Sequence, residues 1–425
     1  MIRFIDLFAG IGGIRKGLEL AVESFGESSV CVFTSEIKPY AVSVLRQNHP
    51  GEVVCGDITK VDEASIPDFD ILCAGFPCQA FSAAGKREGF ADTRGTLFFD
   101  VERILKARRP QGFILENVEG LVNHDRGKTL GTILAHLEAL GYAVSYKVLN
   151  SKYFGVPQER KRIYIVGSLK VKPDLESFPV LRRTVGDILE SGRPTLDTRF
   201  TRLLLSKYSM AQLYGKSIKD KRGGVNNIHS WDLDTKGETS PQEKELLNQI
   251  LTERRKKKWA ANYGIDWMDG MPLTRSMIAS FCSFDNLDNL LDGLVRKGYL
   301  AYEHPKRKVV TMNEAGVQSS HREYDVSLPK GYNIVTGKLS FEINKVLDPS
   351  DIAPTLVAMD MSKIVVPDGG GIRRLTLREG LRMFGYPEDY KFEVKEKDGF
   401  DLLGNTVVVP VIKAVCQRLL SSIYG

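Results

Sequence analysis

The chain has 425 residues, 42% of them hydrophobic and 26% charged, with a formal net charge of +6 at pH 7. That length suits two domains, or one large domain with a sizeable insertion, and the composition is that of a soluble globular protein. The positive balance is compatible with a polyanionic partner without requiring one. No stretch approaches the roughly 20 apolar residues of a membrane span, and "MIRFIDLFAG" runs straight into a strand with no leader ahead of it. A cytoplasmic protein with no membrane association is expected. The six cysteines, at 31, 55, 73, 78, 282 and 416, contain no CxxC pair. Reduced thiols fit that scatter better than a disulfide framework or a structural zinc site, and no metal is expected.

From the N-terminus to about residue 170, apolar runs alternate with amphipathic stretches. "IRFIDL", "VCVFTS", "VVCGD", "FDILCA", "GFILEN" and later "RIYIVG" read as strands. "GIRKGLELAVESF", "PYAVSVLRQNH" and "TLGTILAHLEAL" read as helices among them. The alternation predicts an α/β fold: a doubly wound, largely parallel sheet covered on both faces. After Gly186 it breaks down, and 193–397 is richer in charge and turn residues. Within that region 243–258 and 274–297 look helical, and "YLAYE", the turn "HPKR" and "KVVTMN" read as a hairpin. Helices followed by a hairpin make a helical, winged-helix-like insertion at about 240–320. The run "RRKKK", Arg254 to Lys258, is either a solvated helix face or a phosphate contact. The last segment, "LLGNTVVVPVIKAVCQRLLSSI", reads as an apolar helix returning to the first domain.

Five strand ends carry chemistry. In "FIDLFAGIGGIRKG", Gly10, Gly12 and Gly13 let the backbone turn tightly and approach a ligand at a helix N-terminus. The spacing departs from GxGxxG, so a dinucleotide phosphate loop is the weaker reading. Glu36 and Asp57 end the next two strands, where an open α/β sheet binds ligand and where carboxylates hold ribose hydroxyls and reach an adenine ring. Each acid alone also reads as a helix cap. Three strand ends in register, with no phosphate-binding lysine motif, favour S-adenosylmethionine over ATP. Cys78, in "GFPCQAFSAAG", has no histidine nearby to activate it. An unassisted thiol suits addition to an activated ring better than acyl transfer, and the alternative is a buried structural cysteine. Glu116, in "FILENVEG", sits at another strand end, where partial burial would raise its pKa and let it share a proton with a ring nitrogen. "QERKRIYIV" sets Gln158, Arg160 and Arg162 at alternate positions, hence on one face, to hold a carbonyl oxygen or a phosphate, or simply to edge a strand.

Together these residues resemble the DNA cytosine-5 methyltransferases, in particular the bacterial modification enzymes. The likeness covers about 1–170 and 371–425 through ordered blocks: "DLFAGIGG", "GFPCQAFSAAGKREGFADTRGTLFFD", "ENV", "FGVPQERKRIYIVG", "RRLTLREGLRMFGYP" and "LLGNTVVVPVI". Thr406 stands where that family more often has serine or alanine. The resemblance implies a catalytic domain over 1–192, completed by 398–425, and a smaller target-recognition domain over 193–397. Cys78 would add to C6 of a flipped-out cytosine, Glu116 would bond N3 and the exocyclic amine, and Arg160 and Arg162 would hold the base and the cysteine loop, Arg160 the more directly. The methyl donor would be S-adenosyl-L-methionine, leaving S-adenosyl-L-homocysteine. Phe8 would stack on its adenine, Glu36 bind its ribose and Asp57 its adenine amine. Gly10, Ile11, Gly12, Gly13, Ile37, Ile58, Pro77, Leu97, Asn405 and Thr406 would complete the pocket. Gln79 and Ser82 on the cysteine loop, Gln158, and Thr355 in "APTLVA" would face double-stranded DNA, and this context favours phosphate contact for "RRKKK".

The chain would act as a monomer, with any cognate restriction endonuclease acting separately. An RNA (tRNA) cytosine-5 methyltransferase shares the catalytic motifs, but the long 193–397 region and the PCQ context favour DNA. A DNA-binding regulator using the insertion is a reading of another class, weakened by the intact Cys78, Glu116 and Arg160. The glycine turn with Glu36 and Asp57 weighs against a folate- or flavin-dependent methylase.

Overall fold

The computed structural model describes residues 1–77, 97–221, 223–265, 270–312, 318–336, 341–358 and 360–425. The chain divides into two compact units: Met1–Gly192 with Asp348–Ser362 and Leu375–Gly425, and Arg193–Leu347 with Lys363–Arg374.

The first unit opens with β1 (Ile2–Leu7), α1 (Gly13–Ser24), β2 (Ser29–Ser35), α2 (Pro39–Asn48), β3 (Val54–Cys55) and β4 (Ile71–Ala74). It continues through α3 (Leu97–Arg108), β5 (Gly112–Val118), α4 (Lys128–Ala139), β6 (Ala143–Asn150) and β7 (Lys161–Ser168). The sheet order is β3-β2-β1-β4-β5-β7-β6. β1 to β5 are mutually parallel, and β7 runs antiparallel to both its neighbours. Runs such as Ile71–Ala74, buried throughout, occupy the middle because only a central strand has both faces covered. The expected doubly wound sheet is present. It also contains β6 and α3, which local pattern did not bring out. Strand order reverses between β1 and β4, so the crevice outside their carboxyl ends is where such a sheet takes a ligand.

Asp6, on β1, is fully buried, and neither carboxylate oxygen has a hydrogen-bond partner among the described residues. Burial pushes its carboxyl up from 3.8 to about 8, against the pull of Arg15. The folded chain therefore keeps a proton that the unfolded chain releases. Stability from that proton is complete below about pH 4 and is lost as pH rises toward about 8. Asp6→Asn is expected to flatten this part of the profile, melting several degrees above the parent at pH 8, with the gap closing at pH 4. Parallel melting-temperature profiles across that range would refute the assignment.

Among the described residues the second unit has two hydrophobic cores. It contains α5 (Arg199–Lys207), α6 (Met210–Leu213), β8 (Ser217–Ile218), β9 (Asn227–Ile228), α7 (Pro241–Glu253), α8 (Lys257–Ala261), α9 (Arg275–Ala279) and α10 (Leu287–Lys297). Then follow β10 (Leu300–Glu303), β11 (Lys306–Met312), β12 (Gln318–Tyr324), β13 (Gly331–Ile334), β14 (Lys345–Val346), β15 (Ile364–Asp368) and β16 (Gly371–Arg374). One core lies on a sheet of order β16-β15-β14-β8-β9 and includes Leu204, Ile218, Val346 and Val365. The other is separate and gathers Trp231, Leu247, Ile250, Leu273, Leu291, Leu294 and Ile334. Its first helix, α7, starts cleanly. The Ser240 hydroxyl accepts from Glu243 N–H, the Glu243 carboxylate accepts from Ser240 N–H, and Pro241 fills the first turn.

In this second core β10 pairs with β13, and Leu273 exchanges backbone hydrogen bonds of 3.0 and 2.8 Å with Tyr332 on the far side of β13. β11 and β12 form a ribbon of their own. Apart from the short α8, the order helix, bridge at Leu273, two helices, strand, ribbon, strand is that of a winged helix. The hairpin expected between "YLAYE" and "KVVTMN" is not formed. Each of those segments pairs with a later strand, which a turn-based reading does not reach. Within the "RRKKK" run, Arg254 is taken into the fold and Lys256, Lys257 and Lys258 stay exposed. Arg254 is 2% exposed and donates to Asn333 Oδ1 at 2.7 Å, while Lys256 and Lys258 pair with Glu253. Arg255 donates to Lys221 O at 3.2 Å. Arg254 thus closes a helix and caps a core.

The chain ends in the first unit with α11 (Leu377–Met383), α12 (Glu396–Asn405) and α13 (Val409–Tyr424). The boundary expected at 398 is thereby corrected, since 348–362 and 375–397 belong to this unit too. Backbone bonds explain it: Ala353 N–H donates to Pro157 O at 2.9 Å, and Glu159 N–H to Ala353 O at 2.8 Å. Glu190 N–H donates to Glu379 Oε1 at 2.7 Å. Contrary to the sequence reading, Glu396–Tyr424 is long and apolar enough to cross a membrane by composition, but it is mostly buried. α13 packs on α1 and β7 with Val415, Leu419 and Ile423 inward. Truncating one such leucine to alanine costs about 2–5 kcal/mol.

Candidate active site

At the carboxyl ends of β1, β2, β4 and β5 lies a cavity of about 550 Å³. Phe8, Gly10, Ile11, Glu36, Ile37, Asp57, Ile58, Pro77, Leu97, Asn405 and Thr406 all line it, with Glu116, Arg160 and Arg162. Ser35, Lys38, Phe76, Asn117, Val357, Ala358, Leu402 and Gly404 line it as well, and sequence reasoning assigned none of them. A cavity of about 680 Å³ elsewhere on the same unit, beside Phe154, Arg182 and Lys413, contains none of the strand-end acids.

The glycine turn follows β1. Phe8 has φ 56°, Gly10 φ 55° and Gly12 φ 72°, a conformation that costs glycine little and other residues more. Gly10 N–H donates to Glu36 Oε2 at 2.7 Å, and the N–H groups of Ile37 and Lys38 donate to Oε1 at 2.9 and 2.8 Å. Three backbone donors hold that carboxylate still, and Oε2, which takes only one of them, keeps a lone pair for a hydroxyl. Asp57 does act as a cap, Oδ1 accepting from Thr59 N–H and its hydroxyl at 3.1 and 2.8 Å, yet it also lines the cavity. Gly12 and Gly13 do not line it. A Cβ on Gly13 would meet Tyr386 Oη and Val407 Cγ2 at 2.6 Å, so that glycine serves packing behind the turn.

Glu116 lies near the end of β5, just before the buried Asn117, and is 9% exposed. Burial pushes its carboxyl up, against the pull of Arg162 and Arg160. Arg162 Nε lies 3.1 Å from Glu116 Oε1. Next along β5, the Asn117 amide donates to Phe76 O at 2.9 Å and ties down the end of the segment that leads into the cysteine loop. "ENV" held that signal, but nothing local distinguished its asparagine. Cys78, Gln79 and Ser82 lie outside the described residues.

The two arginines differ in a way that alternation did not reveal. Arg160 is 4% exposed and donates to Leu356 O at 2.9 Å, Gly404 O at 3.1 Å and Thr406 O at 3.0 Å. Burial, with Arg162 beside it, brings its pKa down to about 10. The terminal nitrogens of Arg160 bind backbone carbonyls, and Arg162 is the one against Glu116. The expectation that Gln158 faces DNA is corrected. That side chain is fully buried, donating to Met383 O and accepting from Leu356 N–H, both at 3.2 Å, and so joins backbone segments rather than facing a groove. Thr355 donates to Glu159 O at 2.7 Å and lines a more open cleft of about 610 Å³ with Glu119, Lys161 and Arg162. Gly404 is obligatory: a Cβ there would fall 2.1 Å from Ala358 N.

The residues fit an adenosine-bearing methyl donor. An aromatic ring, a carboxylate immobilised by backbone and a second acid at the next strand end share one cavity with a buried glutamate and an arginine. The C-5 cytosine-specific DNA methylase signature matches residues 2–421 of this chain. The chain belongs to that family. As a whole this methylase is 62% identical to the type II methyltransferase M.NlaIV of Neisseria lactamica, with 99% of each chain covered. It is 41% identical to M.BanI of Aneurinibacillus aneurinilyticus, over 98% of this chain and 95% of that one. Its fold is similar to that of a putative DNA modification methyltransferase from an Escherichia coli prophage, at TM-score 0.54 and 18% identity with both chains fully covered. The methylase is a DNA (cytosine-5-)-methyltransferase, and its family implies use of S-adenosylmethionine.

Proposed function

We propose that this methylase is the modification enzyme of a bacterial type II restriction-modification system. It would be cytoplasmic and monomeric, methylating cytosine at one short duplex sequence independently of any partner endonuclease. The observation that carries the reading is the single cavity in which the Glu36 and Asp57 strand ends meet Glu116 and Arg162, in a chain so similar to type II methyltransferases along its whole length. Phe8, Glu36, Asp57, Pro77, Leu97 and Asn405 would hold S-adenosylmethionine, which supplies an electrophilic methyl group when bound. The second unit would read the target.

A cytosine inside a duplex is out of reach, so it must be flipped out at a cost of a few kcal/mol. Glu116, whose carboxyl pKa burial raises, donates in its protonated form to N3 and accepts from the exocyclic amine. This draws electrons from the ring and makes C6 electrophilic. The Cys78 thiolate adds there, forming the S–C6 bond and making C5 a nucleophile toward the methyl group. Loss of the C5 proton then expels the thiolate and restores the ring. Arg162 fixes the Glu116 carboxyl, and Arg160 holds the floor formed by Leu356, Gly404 and Thr406.

Bisulfite sequencing of a plasmid from a methylation-deficient host tests the proposal, beside Cys78→Ala. Methylcytosine at one motif in the parent and none in the variant is expected. Unmethylated plasmid beside soluble parent protein, with transfer to tRNA instead, would overturn the DNA assignment.

A further inference from the structure

The proposed function gives the second unit the target without assigning its winged-helix element a contact, and the charge of that element is unevenly placed. In the winged-helix geometry the helix before the wing ordinarily enters a DNA groove. Here that helix, α10, exposes Asp288, Asn289, Asp292 and Arg296. Asp288 is already engaged by Arg275 through hydrogen bonds of 2.9 and 3.1 Å. Two carboxylates on that face would meet phosphate repulsion.

The ribbon of β11 and β12 is the opposite. Lys308 pairs directly across from Arg322 and Lys306 across from Tyr324, so all three cations lie on one face. Like charges opposed across an antiparallel pair repel, and neither Lys308 nor Arg322 has an ion-pair partner among the described residues. The other face is satisfied internally. Arg307 faces Glu323, His321 bonds Glu323 at 2.7 Å, and the Thr311 and Ser319 hydroxyls lie 2.8 Å apart. None of the ribbon's described side chains is buried, and none joins either core of this unit. A lone two-stranded ribbon is marginal in water, yet this one keeps seven paired positions with a cationic face turned to solvent. A duplex groove admits a two-stranded ribbon, and phosphates would relieve the repulsion between Lys308 and Arg322.

We infer that this methylase binds duplex DNA through the wing of its winged-helix element, with Lys306, Lys308 and Arg322 on the phosphate backbone and α10 outside the groove. Contacts of this kind position the protein without reading bases.

The test is binding of labelled duplex by the full-length protein with S-adenosylhomocysteine, over a range of salt concentrations. Lys306→Gln/Lys308→Gln/Arg322→Gln is compared with the charge-keeping Lys306→Arg/Lys308→Arg/Arg322→Lys. The glutamine variant is expected to weaken binding at least about tenfold at moderate salt and to reduce the slope of log K against log salt by about 3. The loss should be equal on duplexes with and without the target, and the charge-keeping variant should bind like the parent. An unchanged slope, or equal loss in both variants, would overturn the inference, as would loss confined to target-bearing duplex. Because the readout is binding, a protein inactive in methyl transfer would overturn the proposed function and leave this result standing.

Discussion

Replacing Glu116 by glutamine is expected to cut methyl transfer by about 10²–10⁴-fold, the usual worth of a positioned general acid. The side chain keeps its shape, and its amide oxygen can still accept from Arg162 Nε, now 3.1 Å from Glu116 Oε1. What is lost is the acidic proton for N3. The same change should not destabilise the fold at neutral pH. Burial raises the Glu116 carboxyl pKa in the folded chain, so its contribution to stability is complete below about pH 4.5 and falls as pH rises above that. Glutamine removes that loss. Thermal melts at pH 8 should place Glu116→Gln at or above the parent, with the difference vanishing near pH 4.5. Single-turnover methylation within tenfold of the parent would remove Glu116 from its proposed role, and a lower melting temperature at pH 8 would contradict the burial argument.

The second large effect separates the two arginines. Arg160→Ala takes the donor from the buried carbonyls of Leu356, Gly404 and Thr406. Each unsatisfied group costs about 1–3 kcal/mol, partly offset because the buried guanidinium no longer has to be desolvated. A fall in melting temperature of about 5–10 °C is expected. Arg160→Lys should recover little of it, since a single ammonium cannot reproduce the planar fork. Arg162→Ala should melt close to the parent, because its side chain is 16% exposed and its described contacts are with Glu116 and the neighbouring Lys161 carbonyl. Its methylation should nevertheless fall more than about tenfold, as Glu116 loses the group that positions it. If Arg160→Ala melted like the parent while Arg162→Ala unfolded early, the assignment of frame to one and site to the other would be wrong.

Much of this protein was legible from local pattern. Strand-then-acid and strand-then-glycine junctions mark where a chain leaves a parallel sheet. Glu36, Asp57 and Glu116 could therefore be assigned to one crevice before any coordinates, and all three line the same cavity. Other features were not legible because their cause lies far away in the chain. Gln158 looked like a DNA-facing residue and Arg160 like a contact to the base, but their partners, Leu356, Met383, Gly404 and Thr406, come about 200 residues later. The ribbon was misread for the same reason, since β10 takes its partner from β13 beyond β11 and β12.

By itself, then, the sequence determined the family, the sheet of the first unit and which side chains stand at its strand ends, because periodicity and turn chemistry act over a few residues. Only the tertiary structure decided that β7 runs antiparallel, that 348–362 and 375–397 belong with the catalytic sheet, and that Arg162 rather than Arg160 meets Glu116. It also decided that Arg254 of "RRKKK" is buried within the fold while the cations of the β11–β12 ribbon face solvent. Such outcomes depend on which distant backbone and side-chain groups satisfy one another once water is excluded, and no local pattern carries that information.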